Sequence, residues 1–337
     1  MTLSDMSKPA RISYVAMAVA LVMIAWLHLG VLVLTVLFGY FVLGKLRFGL
    51  SKHFAVALYL VLIVVVSYLL VHFSRQAIIT LPKIVETTIP AVVSYAEQHG
   101  IDLPFADYAG AKTVTIAAAK ESLTNIGQHV RNAVFGFAQL IIGLVLAASL
   151  FLSARWGTEA EPGASPDNLY ATLVRELAER FQLFYASFSR VTGAQIIISA
   201  INTALTGGFL LWNDYPYKLV LLGLAFLCGL VPIIGNLVSN TLIVGVSFSL
   251  SPRLALEALV FLVVVHKLEY FLNSKIIGDR IKNPMWLMLV GLVLGEKLMG
   301  IPGIILAPVV LHYVKVEASK RKFSDLPKPK PEVHIPA

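Results

Sequence analysis

Apolar runs too long for the core of a soluble domain recur along this sequence, and two in its last third are broken in the middle by proline and glycine. Leu219 to Leu250 breaks at Pro232, Ile233, Ile234, Gly235 and Asn236; Trp286 to Val314 breaks at Gly300, Ile301, Pro302 and Gly303. A proline inside a helix removes a backbone hydrogen bond. Hydrocarbon has no water to replace it, so a broken membrane segment must be shielded by protein or line a wet cavity. Paired breaks of this kind point to a transport site.

Composition supports a membrane setting. With 58% hydrophobic and 14% charged residues among 337, and a mean hydropathy of +0.80, polar surface is too scarce to cover a soluble globule. Alternating apolar and polar residues, the signature of barrel strands, are absent, so the spans are helices. The expected fold class is all-α: a polytopic membrane helical bundle with two Pro/Gly-broken segments, re-entrant or hairpin, and an external amphipathic helical segment. The net charge of +8 comes mostly from basic residues beside spans and in the tail, which topology explains without nucleic acid. Cys228 is the single cysteine, so an intrachain disulfide and a thiolate metal cluster are excluded.

Ile12 to Leu43 is too long for one crossing. It reads as a tight pair of short helices turning near His28, Leu29 and Gly30, or as one long tilted helix. Lys8 and Arg11 before it and Lys45, Arg47 and Lys52 after it place both ends on the cytoplasmic side. Phe54 to Phe73 is a third span, completing an N-terminal unit over 1–73. Residues 74–132 form the external segment, punctuated by Pro82, Pro90 and the linker from Gly100 to Pro104. A return span occupies 133–153. Over 154–192 a loop leads, with Ser165 as N-cap and Pro166 as first helical residue, into an interfacial cytoplasmic helix closed by Arg190.

The expected transport core is 193–316, and 317–337 is a basic tail expected to be disordered. Within the span from Gln195 to Leu211 the rows Ser199, Thr203, Gly207 and Ala200, Ala204, Gly208 predict close helix packing on both sides. Trp212, Tyr215 and Tyr217 read as an aromatic belt at its outer end. Basic residues flank the second broken segment on both sides, so it turns at Gly300 to Gly303 and returns. For the first, the geometry stays open.

Charges in apolar spans are costly, about 2.5–3.5 kcal/mol each at the bilayer centre on insertion scales. They therefore single out His266, Lys267 and Glu269 in one span and Glu296 and Lys297 beside the second break. Lys267 and Glu269 are near enough to a span end to snorkel. Glu296 and Lys297 are solvated if their turn reaches the outer interface and buried if it stops at mid-membrane. Among side-chain amides, Gln195, Asn202 and Asn240 read first as helix-to-helix hydrogen bonds. Asn236 directly follows the Pro232 break, where freed carbonyls would join it as ligands. His28, His72 and His312 lie at expected span ends, and Gly291 and Gly295 read as helix packing. Gly39 to Lys45 spells a nucleotide-loop pattern without its hydroxyl residue and inside apolar sequence, and no hydrolase motif occurs. Neither an enzyme nor a bound cofactor or metal is expected.

Pro232, Ile233, Ile234 and Gly235, then Glu269 with Lys275, Ile276, Ile277 and Gly278, then Asn283 and Pro284, Gly291 and Gly295, Gly300 to Gly303, and Ala307 and Pro308 occur in an order and spacing that resembles the C-terminal half of the autoinducer-2 exporter (AI-2E, PerM-like permease) family. Thr192 to Gln195 is similar to that family's short element before the same span. Asn273 and Ser274 stand where the family usually has a proline. The resemblance implies a bacterial inner-membrane permease for small molecules or ions, an exporter or cation/proton antiporter. It also implies a homo-oligomer, with a pentamer as the suggested size. On this reading Glu269 and Glu296, with Lys267 and Lys297 nearby, couple transport to protons or cations. Pro232, Gly235, Asn236, Asn240, Gly300, Pro302 and Gly303 form the gate. The rivals are an uncoupled channel-like oligomer and a membrane scaffold that transports nothing.

Overall fold

The computed structural model describes residues 8–49, 51–100, 126–153, 168–232, 234–277 and 284–319. Among these every regular element is a helix: α1 (Lys8–Trp26), α2 (Gly30–Leu46), α3 (Lys52–Gln98), α4 (Ile126–Leu152), α5 (Leu169–Trp212), α6 (Lys218–Gly229), α7 (Ile234–Leu250), α8 (Pro252–Ile277), α9 (Met285–Met299) and α10 (Ile301–Ser319). Five of them contain a stretch long and apolar enough to cross a membrane. Their outward faces are apolar; on α3, Val64 and Tyr68 are 68% and 70% exposed. Such a surface suits lipid and would aggregate in water.

The chain turns between α1 and α2 at His28, whose φ of 51° is left-handed. Leu29 N–H bonds Ile24 O at 2.9 Å and His28 N–H bonds Ala25 O at 3.2 Å, the two bonds of a Schellman ending. The two helices are not the tight pair expected. They meet only near the turn, α1 packing on α5 and α2 on α4. The turn is instead held by Gln139 of α4. This buried side chain accepts from Leu32 N–H and donates to His28 O, both at 3.0 Å, so the loose backbone of a helix start is satisfied without water.

Contacts then step along α2 and α4 in the same direction. A Cβ on Gly143 would lie 2.6 Å from Thr35 Cβ, and one on Gly39 would lie 2.7 Å from Ala147 Cβ, so the two helices run parallel with backbones close. Helix α3 runs antiparallel to both. Its Lys52 reaches Leu152 O and its Tyr59 joins Leu43 and Ala147 in one apolar cluster.

Two expected boundaries do not exist. Helix α3 continues through Pro82 and Pro90 for 47 residues, roughly 70 Å, more than twice a hydrocarbon core of about 30 Å. Its second half does not stand apart as an external unit, because Ile84 is buried among Leu210, Tyr215, Ile243, Val246 and Leu262. Packing on neighbours holds the helix across positions where proline alone would end it. Similarly, α5 runs unbroken for 44 residues, so 154–192 and 193–316 are not separated at Arg190. Its N-cap is Asn168, whose side chain accepts from Ala171 N–H at 2.7 Å. Ser165 and Pro166, residues 101–125 of the external segment and the tail beyond Ser319 lie outside the described residues. Helix α4 starts at Ile126, while the stretch of it apolar enough to cross begins at Ala133, the expected start of the return span; α10 runs on to Ser319.

One core gathers Met17, Leu34, Phe184, Phe188, Leu306, Val309 and Tyr313 from α1, α2, α5 and α10. Arg180 is buried at its edge, stacked 4.0 Å over the Tyr14 ring and paired with Glu176 at 2.8 Å, while Tyr14 Oη donates to Glu317. His312 is also buried, not at a span end. The other core, around Ile84, takes in Tyr215, whose hydroxyl bonds Ser247 at 2.7 Å. Tyr215 is therefore no part of an aromatic belt, although Trp212 beside it is 90% exposed. Asp214 in the same turn carries a left-handed φ of 52°. A hydrogen bond from Lys218 and its positive charge hold the Asp214 carboxyl below the usual carboxylate range.

Candidate functional site

Both broken segments fold as helical hairpins. In the first, α6 is only 12 residues long, about 18 Å, too short to cross. It returns along α5 and reverses again into α7 after Pro232. Gly235 is obligatory in this reversal, since a Cβ there would fall 1.7 Å from Cys228 O. Carbonyls left free by the end of α6 are not available as ligands. Gln195 Nε2 donates to Gly229 O at 2.6 Å and Ser199 Oγ to Phe226 O at 2.8 Å.

In the second hairpin the turn is Gly300, with φ 65° and ψ −141°, a conformation that only glycine adopts readily. Gly295 and Gly303 bring α9 and α10 into backbone contact, a Cβ on Gly303 falling 1.8 Å from Gly295 O. Gly291 faces Leu311 and Ala307, and Pro302 packs on Gly30 at the α1–α2 turn. The two breaks meet through Val231, which packs against Leu292, Ile304 and Ala307.

Polar groups converge beside the first break. Glu269 of α8 is 9% exposed. Its Oε2 accepts from Asn236 Nδ2 of α7 at 2.6 Å and from Asn202 Nδ2 of α5 at 3.0 Å. His266 Nδ1, on the next turn of α8 and largely exposed, lies 3.8 Å from the same oxygen. Proximity in space, not in sequence, makes the cluster, because the three helices carrying it are separated by other elements or turns. Thr206, Ser239 and Asn240 line the same cavity with them, together with Ala225, Leu262 and Val265. The cavity is small, about 20 Å³, room for one water or a bare monovalent ion. Asn202 Oδ1 is buried with no partner among the described residues, and both amide bonds to Glu269 end on Oε2 rather than Oε1. Hard oxygens of this sort suit a proton, water or an alkali cation rather than a soft transition metal. No group of three His, Cys, Asp or Glu that could hold a metal occurs among the described residues.

Several expected residues lie elsewhere. Glu296 and Lys297 pair with each other at 3.6 Å and are both exposed on the last turn of α9. That helix packs on α10, α1 and Val231, whereas α8 packs on α5 and α7. Lys267 is exposed. Pro232, Gly235, Gly300, Pro302 and Gly303 shape the two hairpins without lining the cavity. Gly207 meets Leu222, but Gly208 has nothing within 4 Å, and Ala200 and Ala204 are exposed. Only one of the two small-residue rows of α5 packs inside the chain. Asn202 and Thr206, His266 and Glu269, and Asn236 and Asn240 each share a helix face at three- or four-residue spacing. That spacing is the signal that sets Thr206 beside Asn202 and His266 beside Glu269.

Residues 12–319 match the family model described as AI-2E family transporter. The chain is also similar to YdbI of Bacillus subtilis (strain 168), which carries a provisional name as a transport protein. The two are 28% identical over 125 residues, 36% of this chain and 36% of that protein. The match thus spans about a third of that relative's length.

Proposed function

This chain belongs to the AI-2E transporter family, and on that premise we propose that it is a secondary permease of the bacterial inner membrane coupled to protons or monovalent cations at Glu269. The supporting observation is the carboxylate of Glu269, buried between three helices, bonded by Asn202 and Asn236 and facing a cavity beside a broken segment. An ionisable side chain at such depth is costly unless its charge is used. A proton or cation entering the cavity neutralises Glu269 and loosens its hold on Asn236, which begins α7. The α6–α7 hairpin is then free to shift against α5 and α8, and this movement passes the substrate.

The transported species on this reading is a small polar signalling molecule, a metabolite or a monovalent cation, and the direction is export. The size of the cavity favours the cation or proton as the species that Glu269 itself binds. Both chain ends face the cytoplasm, given Lys8, Arg11, Lys45, Arg47 and Lys52 at one end of the bundle. The working unit is a homo-oligomer.

Reconstituted protein carrying Glu269→Gln tests the assignment, because glutamine preserves shape and removes the charge. Gradient-driven flux and its pH dependence are expected to vanish in E269Q and to persist in E296Q. Unchanged flux in E269Q would refute coupling at Glu269. Flux that never runs against a gradient in the wild type would favour the uncoupled channel. No flux at all, with a partner copurifying, would favour the scaffold.

A further inference from the structure

Helices α3 and α4 meet at the end that carries Lys52 and Leu152, and a groove of about 800 Å³ runs between them. Its walls are Val56, Tyr59 and Ile63 on α3 and Ile141, Leu144 and Ala148 on α4. From Ile141 to Leu152 the groove is roughly 16 Å long at about 1.5 Å per residue. That is close to half of a hydrocarbon core of about 30 Å, the depth of one leaflet. A spanning helix of a second copy would need a seat through both leaflets. A single acyl chain needs one.

The mouth is positively charged. Lys52 Nζ lies 3.4 Å from Leu152 O, which lines the groove, and 5.9 Å over the Phe151 ring. One donor of the ammonium goes to that carbonyl, and an ammonium has three. Lys45 and Arg47 follow on the α2 side, and neither 40–60 nor 140–153 contains an acidic residue. Among the described residues of α2, α3 and α4 beside this mouth, a phosphodiester meets cations and no carboxylate. We propose that the groove seats one acyl chain of an anionic phospholipid whose headgroup is held by Lys52. The site is independent of Glu269, since it lies among α2, α3 and α4.

The full chain in mixed vesicles, exposed to phosphatidylglycerol carrying a photoactivatable diazirine on its acyl chain and then mapped by peptide mass spectrometry, tests this directly. Label is expected to concentrate on Tyr59 to Ile63 and Ile141 to Ala148, several-fold above the matching phosphatidylcholine probe. Lys52→Glu is expected to remove that excess, and Ala148→Phe to reduce groove labelling by both probes. Normal melting of each variant in detergent establishes that it is folded, and the unmutated chain alone already gives the first comparison. Equal labelling by the two probes would overturn the headgroup assignment. Label on the groove no stronger than on the outward residues Val64 and Val260, or a disulfide between copies through cysteines placed at Ile63 and Val145, would overturn the lipid site.

Discussion

Asn236, at the start of α7, donates to the carboxylate of Glu269 in the middle of α8 at 2.6 Å, and so ties the Pro232 break to the buried charge. Hydrogen bonds to a charged group contribute about 1.5–3 kcal/mol. Asn236→Leu is expected to lower detergent melting stability by an amount in that range and to reduce flux strongly. Asn202→Leu acts in the same direction through the longer bond at 3.0 Å. A double variant with a loss equal to the sum of the two would show that the amides act on Glu269 independently; a smaller loss would show that they form one network.

Gly303 and Gly208 give opposite predictions for the same change. At Gly303 an alanine Cβ falls 1.8 Å from a backbone oxygen that cannot rotate away, and at Gly208 it meets nothing within 4 Å. Gly303→Ala is expected to cost at least the roughly 1–3 kcal/mol of ordinary overpacking, read as a lower melting temperature. Gly208→Ala is expected to be neutral or to stabilise by up to about 1 kcal/mol through helix propensity. A drop in oligomer size in G208A alone would place that face between copies.

Gln139 satisfies two backbone groups at the α1–α2 turn, Leu32 N–H and His28 O. Gln139→Leu fills the same volume but leaves both groups unpaired in a buried place. The expected loss is about 1–3 kcal/mol for each orphaned group. Hydrogen exchange measured at Leu32 checks the mechanism, because only the specific loss of this clamp accelerates exchange there while α7 and α8 stay protected.

Arg180 joins α5 to α1 at the basic end, flat against the Tyr14 ring and paired with Glu176. Its guanidinium is almost wholly buried, so truncation leaves Glu176 without its cation. Because Glu176 stays partly open to water, Arg180→Ala is expected to destabilise by about 1.5–3 kcal/mol, the range for a hydrogen bond to a charged group. Arg180→Lys recovers the charge but not the planar stack, and should recover only part of the stability. Equal melting of R180K and wild type would mean that charge alone matters at this position.

Helical class, membrane setting and the places where helices stop were legible because each follows from local rules. His28 to Gly30, Pro232 to Gly235 and Gly300 all mark helix ends, since a left-handed residue, a missing N–H or an absent Cβ acts on its own backbone. Prolines misled where packing outweighed them. Pro82 and Pro90 lie inside α3, whose neighbour Ile84 is buried in the second core. Arg190 misled likewise, being a charge in the interior of a helix that runs on to Trp212.

Inward faces were far less legible. A span surrounded by lipid is apolar on both sides, so no amphipathic contrast marks the face that packs. The rows of α5 show the consequence: Ser199 touches α6 while Ala200, Ala204 and Gly208 face outward. Charge content alone likewise ranked Glu296 with Glu269, although only one of them is buried against partners from other helices.

By itself the sequence determined that this is an all-helical membrane chain, where its two late spans break and which few ionisable residues its apolar helices carry. Hydropathy and backbone chemistry decide such things within a few residues of each position. Only the tertiary structure decided that Glu269 meets Asn236 and Asn202, 33 and 67 residues away along the chain, and that Glu296 stays outside. The physical reason is that a hydrogen bond between helices depends on how their backbones approach. That approach is set by contacts such as Gln195 on Gly229 and Ser199 on Phe226, which join parts of the chain that no local pattern relates.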